Sequence, residues 1–262
     1  MKNYKSLFKL DRKTAVVTGG AGLIGKEVVT ALAVSGARVI IADIDKKGGQ
    51  AISRKLSNMG YSCSYINFNI THIPKLKKAV SCFYRILSGI DIWVNTAYPR
   101  THDWGAPVEK ITESSWRKNI DMHLNAYALV SKYVAEMMKK KGGSIINFGS
   151  IYGIVAPDFS VYNKTKISNS MIYSAIKGGI TNVDRYLASY YGKYNIRVNT
   201  ICPGGVFDNQ DKRFVSNYKS KTPLKRMAKP QDIAPVTVFL ASEAASYITG
   251  ATIMVDGGWT AI

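Results

Sequence analysis

Two pairs of residues in this chain place a phenol and an ammonium four positions apart: Tyr162 with Lys166, and Tyr173 with Lys177. On a helix each pair shares one face. An ammonium beside a phenol stabilises the phenolate and draws its pKa down from about 10 towards neutrality. Such a phenol can give or take the proton of a carbinol while a nicotinamide moves the hydride. The spacing is also common on helices for packing alone, so this chemistry needs a second site to serve.

That second site is legible in residues 14–25, TAVVTGGAGLIG, where a β-rich run passes through three glycines into a helical pattern. Gly19 lets the chain turn sharply, Gly22 removes the Cβ that would hold backbone N–H groups off a pyrophosphate, and Gly25 lets the helix pack close to the sheet. The helix N-terminus offers unpaired N–H groups and a positive dipole end to phosphates. A carboxylate, Asp43, follows at the end of the second β-rich run, RVIIADID. It can accept both adenine-ribose hydroxyls and would repel a 2′-phosphate, so NAD is expected over NADP. A strand-end or helix-capping role is the structural use of the same aspartate.

The elements that must position these residues alternate along the whole chain. Residues 14–18, 38–43, 64–69, 91–95, 144–150, 196–202 and 252–256 read as short strands dense in Val and Ile, without strict polar alternation. Strands covered on both faces look like this. Between them run helical stripes: Ile24, Val28 and Leu32 before a stop at Gly36, and a longer one through Trp116, Ile120, Leu124, Tyr127, Ser131, Val134 and Met138. This repetition implies an α/β fold with a parallel, doubly wound sheet and helices on both faces. With no linker or repeat, residues 1–262 are expected to form one domain.

The composition of the 262 residues, 46% hydrophobic and 20% charged, is globular and excludes a disordered chain. No run approaches the ~18 apolar residues of a membrane helix, so no membrane partner is expected. The N-terminus lacks the apolar block of a secretory signal. Cys63, Cys82 and Cys202 are scattered without paired spacing, which argues against a disulfide framework or a metal site and suits a cytoplasmic location. The net charge of +19 could attract nucleic acid, yet the basic residues are spread along the chain with no run longer than residues 139–141. A basic solvated surface is the expectation, then an anionic small substrate, with no nucleic-acid partner.

The motifs TGGAGLIG, DIWVNTA, SIINFGS, YSAIKGGI, NIRVNTICPGGV and ITGATIMVDGG occur in the order and spacing of one family. Over nearly its full length the chain resembles the short-chain dehydrogenase/reductases. The resemblance implies a Rossmann-type seven-stranded sheet, a nicotinamide cofactor, a Ser-Tyr-Lys catalytic group with Ser150 as the serine, and a homotetramer or homodimer. For the cofactor it implies contacts from Leu23, Ile24, Ile44, Asn69, Ile70, Asn95 and Ala97, with Pro203, Gly204 and Val206 beside the nicotinamide. For the substrate it implies Tyr98, Arg100, Ser150 and Gly205. Of the two tyrosines, Tyr162 lies 12 residues after Ser150, the family's usual gap, and Tyr173 lies 23 after it. YSAIKGGI matches the catalytic-helix text, Tyr173 stands at the family's distance before Pro203-Gly204, and its helix keeps a stripe of Ile176, Ile180, Val183 and Leu187. Tyr173 and Lys177 are therefore the expected pair. An insertion containing Pro157, Asp158 and Phe159 precedes them, and Tyr162 and Lys166 become lid or surface residues.

Several positions depart from the family pattern. The middle glycine comes one position early, as in a sugar-nucleotide-modifying branch. His123 stands where an active-site asparagine is usual and could relay protons there, or be a buried histidine satisfied by a carbonyl. Asp208 replaces a threonine, and Asn69, whose amide can still accept from the adenine amino group, replaces an aspartate. Arg100 could pair with a carboxylate or phosphate. Residues 207–226 fall where the family keeps a mobile substrate loop, and Lys212, Arg213 and Lys225 could gather there around an anion. Taken together these features look most like bacterial oxidoreductases of surface-glycan and flagellin modification. That implies NAD(H)-dependent interconversion of a secondary alcohol and a ketone on a sugar, sugar-phosphate or nucleotide-sugar. The alternatives are a 3-oxoacyl-carrier-protein reductase, a polyol dehydrogenase, or a dinucleotide-binding module without turnover.

Overall fold

Runs of Val and Ile with both faces apolar can bury themselves only between two helical layers, and they do so here. In the computed structural model, which describes residues 4–165 and 168–262, seven strands form one sheet: β1 (Thr14–Thr18), β2 (Arg38–Asp43), β3 (Cys63–Asn67), β4 (Ile92–Asn95), β5 (Gly143–Phe148), β6 (Ile196–Pro203) and β7 (Thr252–Val255). Their order is β3-β2-β1-β4-β5-β6-β7, and every pairing is parallel. β3 starts one residue earlier and ends two earlier than the pattern predicts; the others keep their places to within two residues.

Side chains alternate between the faces. Val17 and Ile41 enter a core with Val28 and Leu32 of α1 (Leu23–Val34) and Ile233 and Leu240 of α8 (Pro230–Ala241). Val16 and Ile40 enter the opposite core, with Val80 of α3 (Ile73–Ile86), Val130 of α5 (Ala126–Met138) and Ile176 of α6 (Met171–Tyr191). α2 (Lys46–Asn58) joins β2 to β3 and starts behind Asp45, whose carboxylate accepts from the Gly48 N–H.

The long stripe from Trp116 to Met138 is not one α-helix. α4 (Glu113–Asn119) passes into a π-helical stretch, Ile120–Asn125, before α5 begins. The wider turn inserts an extra residue into the helical repeat, and such turns are frequent at functional sites. Here it points His123 into the interior. Residues 207–226, expected to be loop, instead hold α7 (Lys212–Lys221): Asp211 caps it by accepting from the N–H groups of Arg213 and Phe214, and Phe214 and Tyr218 bury one face. None of the described helices is long and apolar enough to cross a membrane.

Candidate active site

From β1 the chain winds outwards through β2, and from β4 outwards through β5, so a crevice opens beyond the strand ends where the direction reverses. A cleft of about 1020 Å³ occupies it. The glycine turn makes one end. Gly19 adopts φ +69°, and a Cβ there would lie 2.5 Å from Cα and N of Ala97, so only glycine lets the turn pass so near the end of β4. The Thr96 hydroxyl ties the two together, donating to the Thr18 carbonyl at 2.7 Å. A Cβ on Gly25 would run into the Gly19 carbonyl and the Thr96 hydroxyl. Gly25 therefore spaces α1 from the turn itself and not, as expected, from the sheet.

Gly22 starts α1 with no side-chain cap, which leaves the N–H groups of Leu23, Ile24 and Gly25 facing the cleft. Asp43 stands beside them, its carboxylate fixed by the N–H groups of Ala21 at 2.8 Å and Asp45 at 2.9 Å. Each oxygen keeps a lone pair for a ligand hydroxyl. Ile44, Asn69 and Ile70 continue this wall. The Asn69 Oδ1 is already taken by the Thr71 N–H (2.9 Å) and hydroxyl (2.8 Å). Contrary to expectation, Asn69 thus offers a ligand its donors and not its acceptor. An uncapped helix, a Cβ-free approach and an anchored carboxylate are a cradle that fits a dinucleotide.

At the other end, β5 delivers Ser150 and α6 delivers Tyr173 and Lys177. The Ser150 hydroxyl accepts from the Tyr152 N–H at 3.2 Å, which fixes its direction. Lys177 Nζ donates to the Phe148 carbonyl at 2.7 Å and lies 3.4 Å from Nε2 of His123. The rings of Tyr98, Tyr127 and Tyr173 surround this ammonium at 5.7–5.8 Å. His123 is fully buried behind Lys177 and does not line the cleft. No carbonyl satisfies it: Nδ1 has no hydrogen-bond partner among the described residues.

Burial dominates the electrostatics. It pushes the Tyr173 phenol above its ordinary range, Tyr98 adds to the push, and hydrogen bonding to Ser150 only partly offsets them. Lys177, expected to acidify the phenol, is itself desolvated and does not offset that burial. Burial brings Lys177 down to about 7, with Cys202 acting in the opposite sense. Burial, and then Lys177, hold the His123 imidazolium well below the usual histidine range. Beneath the site, Asp184 of α6 is buried with no cationic partner among the described residues, accepting from Asn147 Nδ2 at 2.6 Å and Thr200 Oγ1 at 2.5 Å. Burial raises it to about 7 against the pull of these two bonds.

Most of the expected cofactor and substrate residues line this one cleft, including Ala97, Tyr98, Arg100, Pro203, Gly204, Gly205 and Val206. Asn95 does not. It is fully buried, its Oδ1 accepting from Thr18 Oγ1 and Trp93 Nε1 and its Nδ2 donating to Asn147 Oδ1, so it braces the strand ends. Lys212, Arg213 and Lys225 are exposed and stay outside the cleft, because α7 turns Phe214 and Tyr218 inwards instead. Tyr162, expected as a lid or surface residue, half-buries its ring against Phe214 and lines the cleft. The helical turn carrying it spans Phe159–Tyr162. Lys166 lies outside the described residues. Sequence reasoning missed Trp104, Tyr152, Asn169 and Tyr218 as cleft residues. Only Tyr218 carried a signal, its four-residue spacing from Phe214 behind a capping aspartate.

Comparisons with known proteins agree with this architecture. A family model described as enoyl-(acyl carrier protein) reductase matches residues 20–260. The post-translational flagellin modification protein A of Campylobacter coli is 34% identical over 258 residues, spanning 95% of this chain and 99% of the relative. The crystal structure of a short-chain dehydrogenase from Leptospira borgpetersenii with bound NAD+ is 34% identical, with a TM-score of 0.85, covering 99% of this chain and 96% of that one. A gluconate 5-dehydrogenase from Burkholderia cenocepacia, in complex with NADP and tartrate, shares the fold at a TM-score of 0.89 and 24% identity, covering 99% of this chain and 100% of that one. The chain is an oxidoreductase of a family that binds a nicotinamide dinucleotide and acts on small molecules: it belongs to the short-chain dehydrogenase/reductases.

Proposed function

We propose that this protein interconverts a secondary alcohol and a ketone with NAD(H), on a sugar, sugar-phosphate or nucleotide-sugar of surface-glycan or flagellin modification. One observation carries the reading: Ser150, Tyr173 and Lys177 meet at one end of a cleft whose other end is the uncapped glycine turn beside Asp43. The N–H groups of Leu23, Ile24 and Gly25 would hold the pyrophosphate and Asp43 the adenine ribose, where its charge opposes a 2′-phosphate. Ile44, Asn69, Ile70 and Ala97 would flank the adenosine half; Lys177, Pro203, Gly204 and Val206 the nicotinamide half. Bound there, the nicotinamide supplies the two-electron acceptor or donor for hydride.

Tyr173 is the acid/base. Raised by burial, its phenol is protonated at neutral pH and gives its proton to a carbonyl oxygen in the reducing direction. In the oxidising direction the phenolate takes the carbinol proton. The Ser150 hydroxyl holds the reacting oxygen against the phenol. Lys177, with both its forms accessible near neutral pH, and His123 at 3.4 Å behind it carry the proton away from or towards Tyr173. Arg100, exposed above the Tyr98 ring at 4.9 Å and without a carboxylate partner among the described residues, pairs with the anionic group of the substrate.

The link to flagellin modification rests on the similarity to the Campylobacter coli protein. The exposed side chains of Tyr247 and Ile262 suit a homodimer or homotetramer, which we place in the cytoplasm. The test is a screen of NADH formation across sugar phosphates and nucleotide-sugars, run in parallel with NAD and NADP. The reading expects turnover of an anionic sugar with NAD favoured by at least tenfold. Equal rates with NADP, or turnover confined to acyl thioesters, would overturn it.

A further inference from the structure

Two segments far apart in the chain are zipped together over the Tyr173 end of the cleft. The Asn217 amide of α7 donates to the carbonyls of Val161 (3.2 Å) and Asn163 (3.4 Å), and Lys221 pairs with Asp158 at 3.0 Å. The rings of Tyr162 and Phe214 pack at 5.5 Å, within a small core of Val161, Tyr218 and Trp259 against which the Tyr173 ring lies. This roof carries a line of polar groups. Asn169 Nδ2 donates to the Tyr162 hydroxyl at 3.2 Å, and that hydroxyl donates to the Tyr152 hydroxyl at 3.2 Å. All three residues line the cleft with Ser150 and Tyr173.

The line is incomplete. Two phenols bring two O–H protons, and the single bond between them uses one. The other, on Tyr152, meets no acceptor among the described residues, and Asn169 Oδ1 is buried without a donor. A chain that served only to hold the roof shut would close its ends, or be replaced by apolar packing, because unmade hydrogen bonds in a partly desolvated wall are costly. Its place is beside the chemistry: Tyr152 follows Ser150 by two residues and binds it through its N–H. At the same end of the cleft, Tyr98 and Trp104 set their rings edge-on to Tyr173 at 5.9 and 5.8 Å and to each other at 5.7 Å, an aromatic corner whose ring faces can take the C–H groups of an aliphatic ring.

Resting on the oxidoreductase reading above, we infer that the substrate is a saturated ring with a second hydroxyl next to the reacting carbinol, and that Tyr152, Tyr162 and Asn169 determine specificity by binding that hydroxyl. The open Tyr152 proton is the donor such an oxygen accepts. A site built to bond a hydroxyl discriminates against the analogue lacking it, since its own polar groups are then left unpaired.

The probes are cis-1,2-cyclohexanediol and cyclohexanol, each oxidised with NAD. The wild-type protein is expected to favour the diol by roughly tenfold or more in kcat/KM, with the difference carried by KM. In Tyr152→Phe, which removes the open donor, the ratio collapses towards one. Should this variant fail to fold, Tyr162→Phe, which takes away the bond that orients the Tyr152 hydroxyl, lowers the same ratio. A wild-type preference for cyclohexanol, or a ratio unmoved by either variant, overturns the inference. So does the absence of turnover of both alcohols by a protein that binds NADH. Absence of turnover together with no binding of NADH, followed by its fluorescence, sinks the oxidoreductase reading itself.

Discussion

Asp184 and Lys177 lie seven residues apart on the same buried face of α6, and their perturbations run in opposite directions. Replacing Asp184 by asparagine separates them. In the folded protein the carboxyl is raised from 3.8 to about 7 by burial, so between these values the native state holds a proton that the unfolded chain has lost. Stability contributed by this group is therefore full at acid pH and falls as pH rises towards 7. At about 1.4 kcal/mol per pKa unit, the loss amounts to roughly 4 kcal/mol at pH 8. Asparagine resembles the protonated acid, with one acceptor for the Asn147 and Thr200 donors, and never ionises. Asp184→Asn should match the wild type near pH 4 and exceed it at pH 8 by an amount approaching that figure. For a chain of this size the excess is on the order of 10 °C in Tm. Urea unfolding followed by circular dichroism at stepped pH measures the difference directly. Lys177→Met should give the mirror image, its advantage growing as pH falls from 10.5 towards 7, since the buried amine is held at about 7. A variant-minus-wild-type difference that stays flat from pH 4 to pH 8 would refute the claim that Asp184 is an uncompensated buried acid.

Three further outcomes follow from the geometry. Asp43→Ala removes a charge that accepts from Ala21 and Asp45 and faces the ribose position, so kcat/KM with NAD should fall by about ten- to a hundredfold while that with NADP falls less. Parallel initial rates with the two cofactors check this. Gly25→Ala drives a methyl group into the Gly19 carbonyl, which should cost about 1–3 kcal/mol in denaturant unfolding and abolish tight NADH binding. His123→Phe takes away the group behind Lys177 and should lower kcat by roughly a hundredfold and reshape its pH profile, with a smaller effect on the KM for NAD. An unchanged profile would reduce His123 to a packing residue.

The architecture was legible because burial on both faces leaves a plain trace: runs such as VVT and VIIAD in β1 and β2 can be little else once glycine turns and helical stripes separate them. The glycine turn was legible for a related reason, since the close approach of Gly19 to Ala97 and of Gly25 to the turn tolerates no side chain. The π-helical turn at Ile120–Asn125 was not, because a stripe spaced by three and four reads the same whether or not one extra residue is taken up. Nor was the roof. Its segments meet through tertiary contacts such as Asn217 with Val161, and neither segment has a periodic apolar face that foretells the other. Tyr173 and Lys177 share one helix, as their spacing implies, yet the raised pKa of Tyr173 depends on burial among Tyr98 and its neighbours, which spacing does not encode.

Both candidate phenols reach the same cleft; the roles proposed above are proton transfer for Tyr173 and substrate recognition for Tyr162. Single-turnover hydride transfer in Tyr173→Phe and Tyr162→Phe, at saturating NAD and substrate, separates the two roles. The expected result is a loss of roughly a hundred- to ten-thousandfold in Tyr173→Phe, and in Tyr162→Phe a raised KM with hydride transfer retained. Hydride transfer surviving in Tyr173→Phe and vanishing in Tyr162→Phe would contradict it.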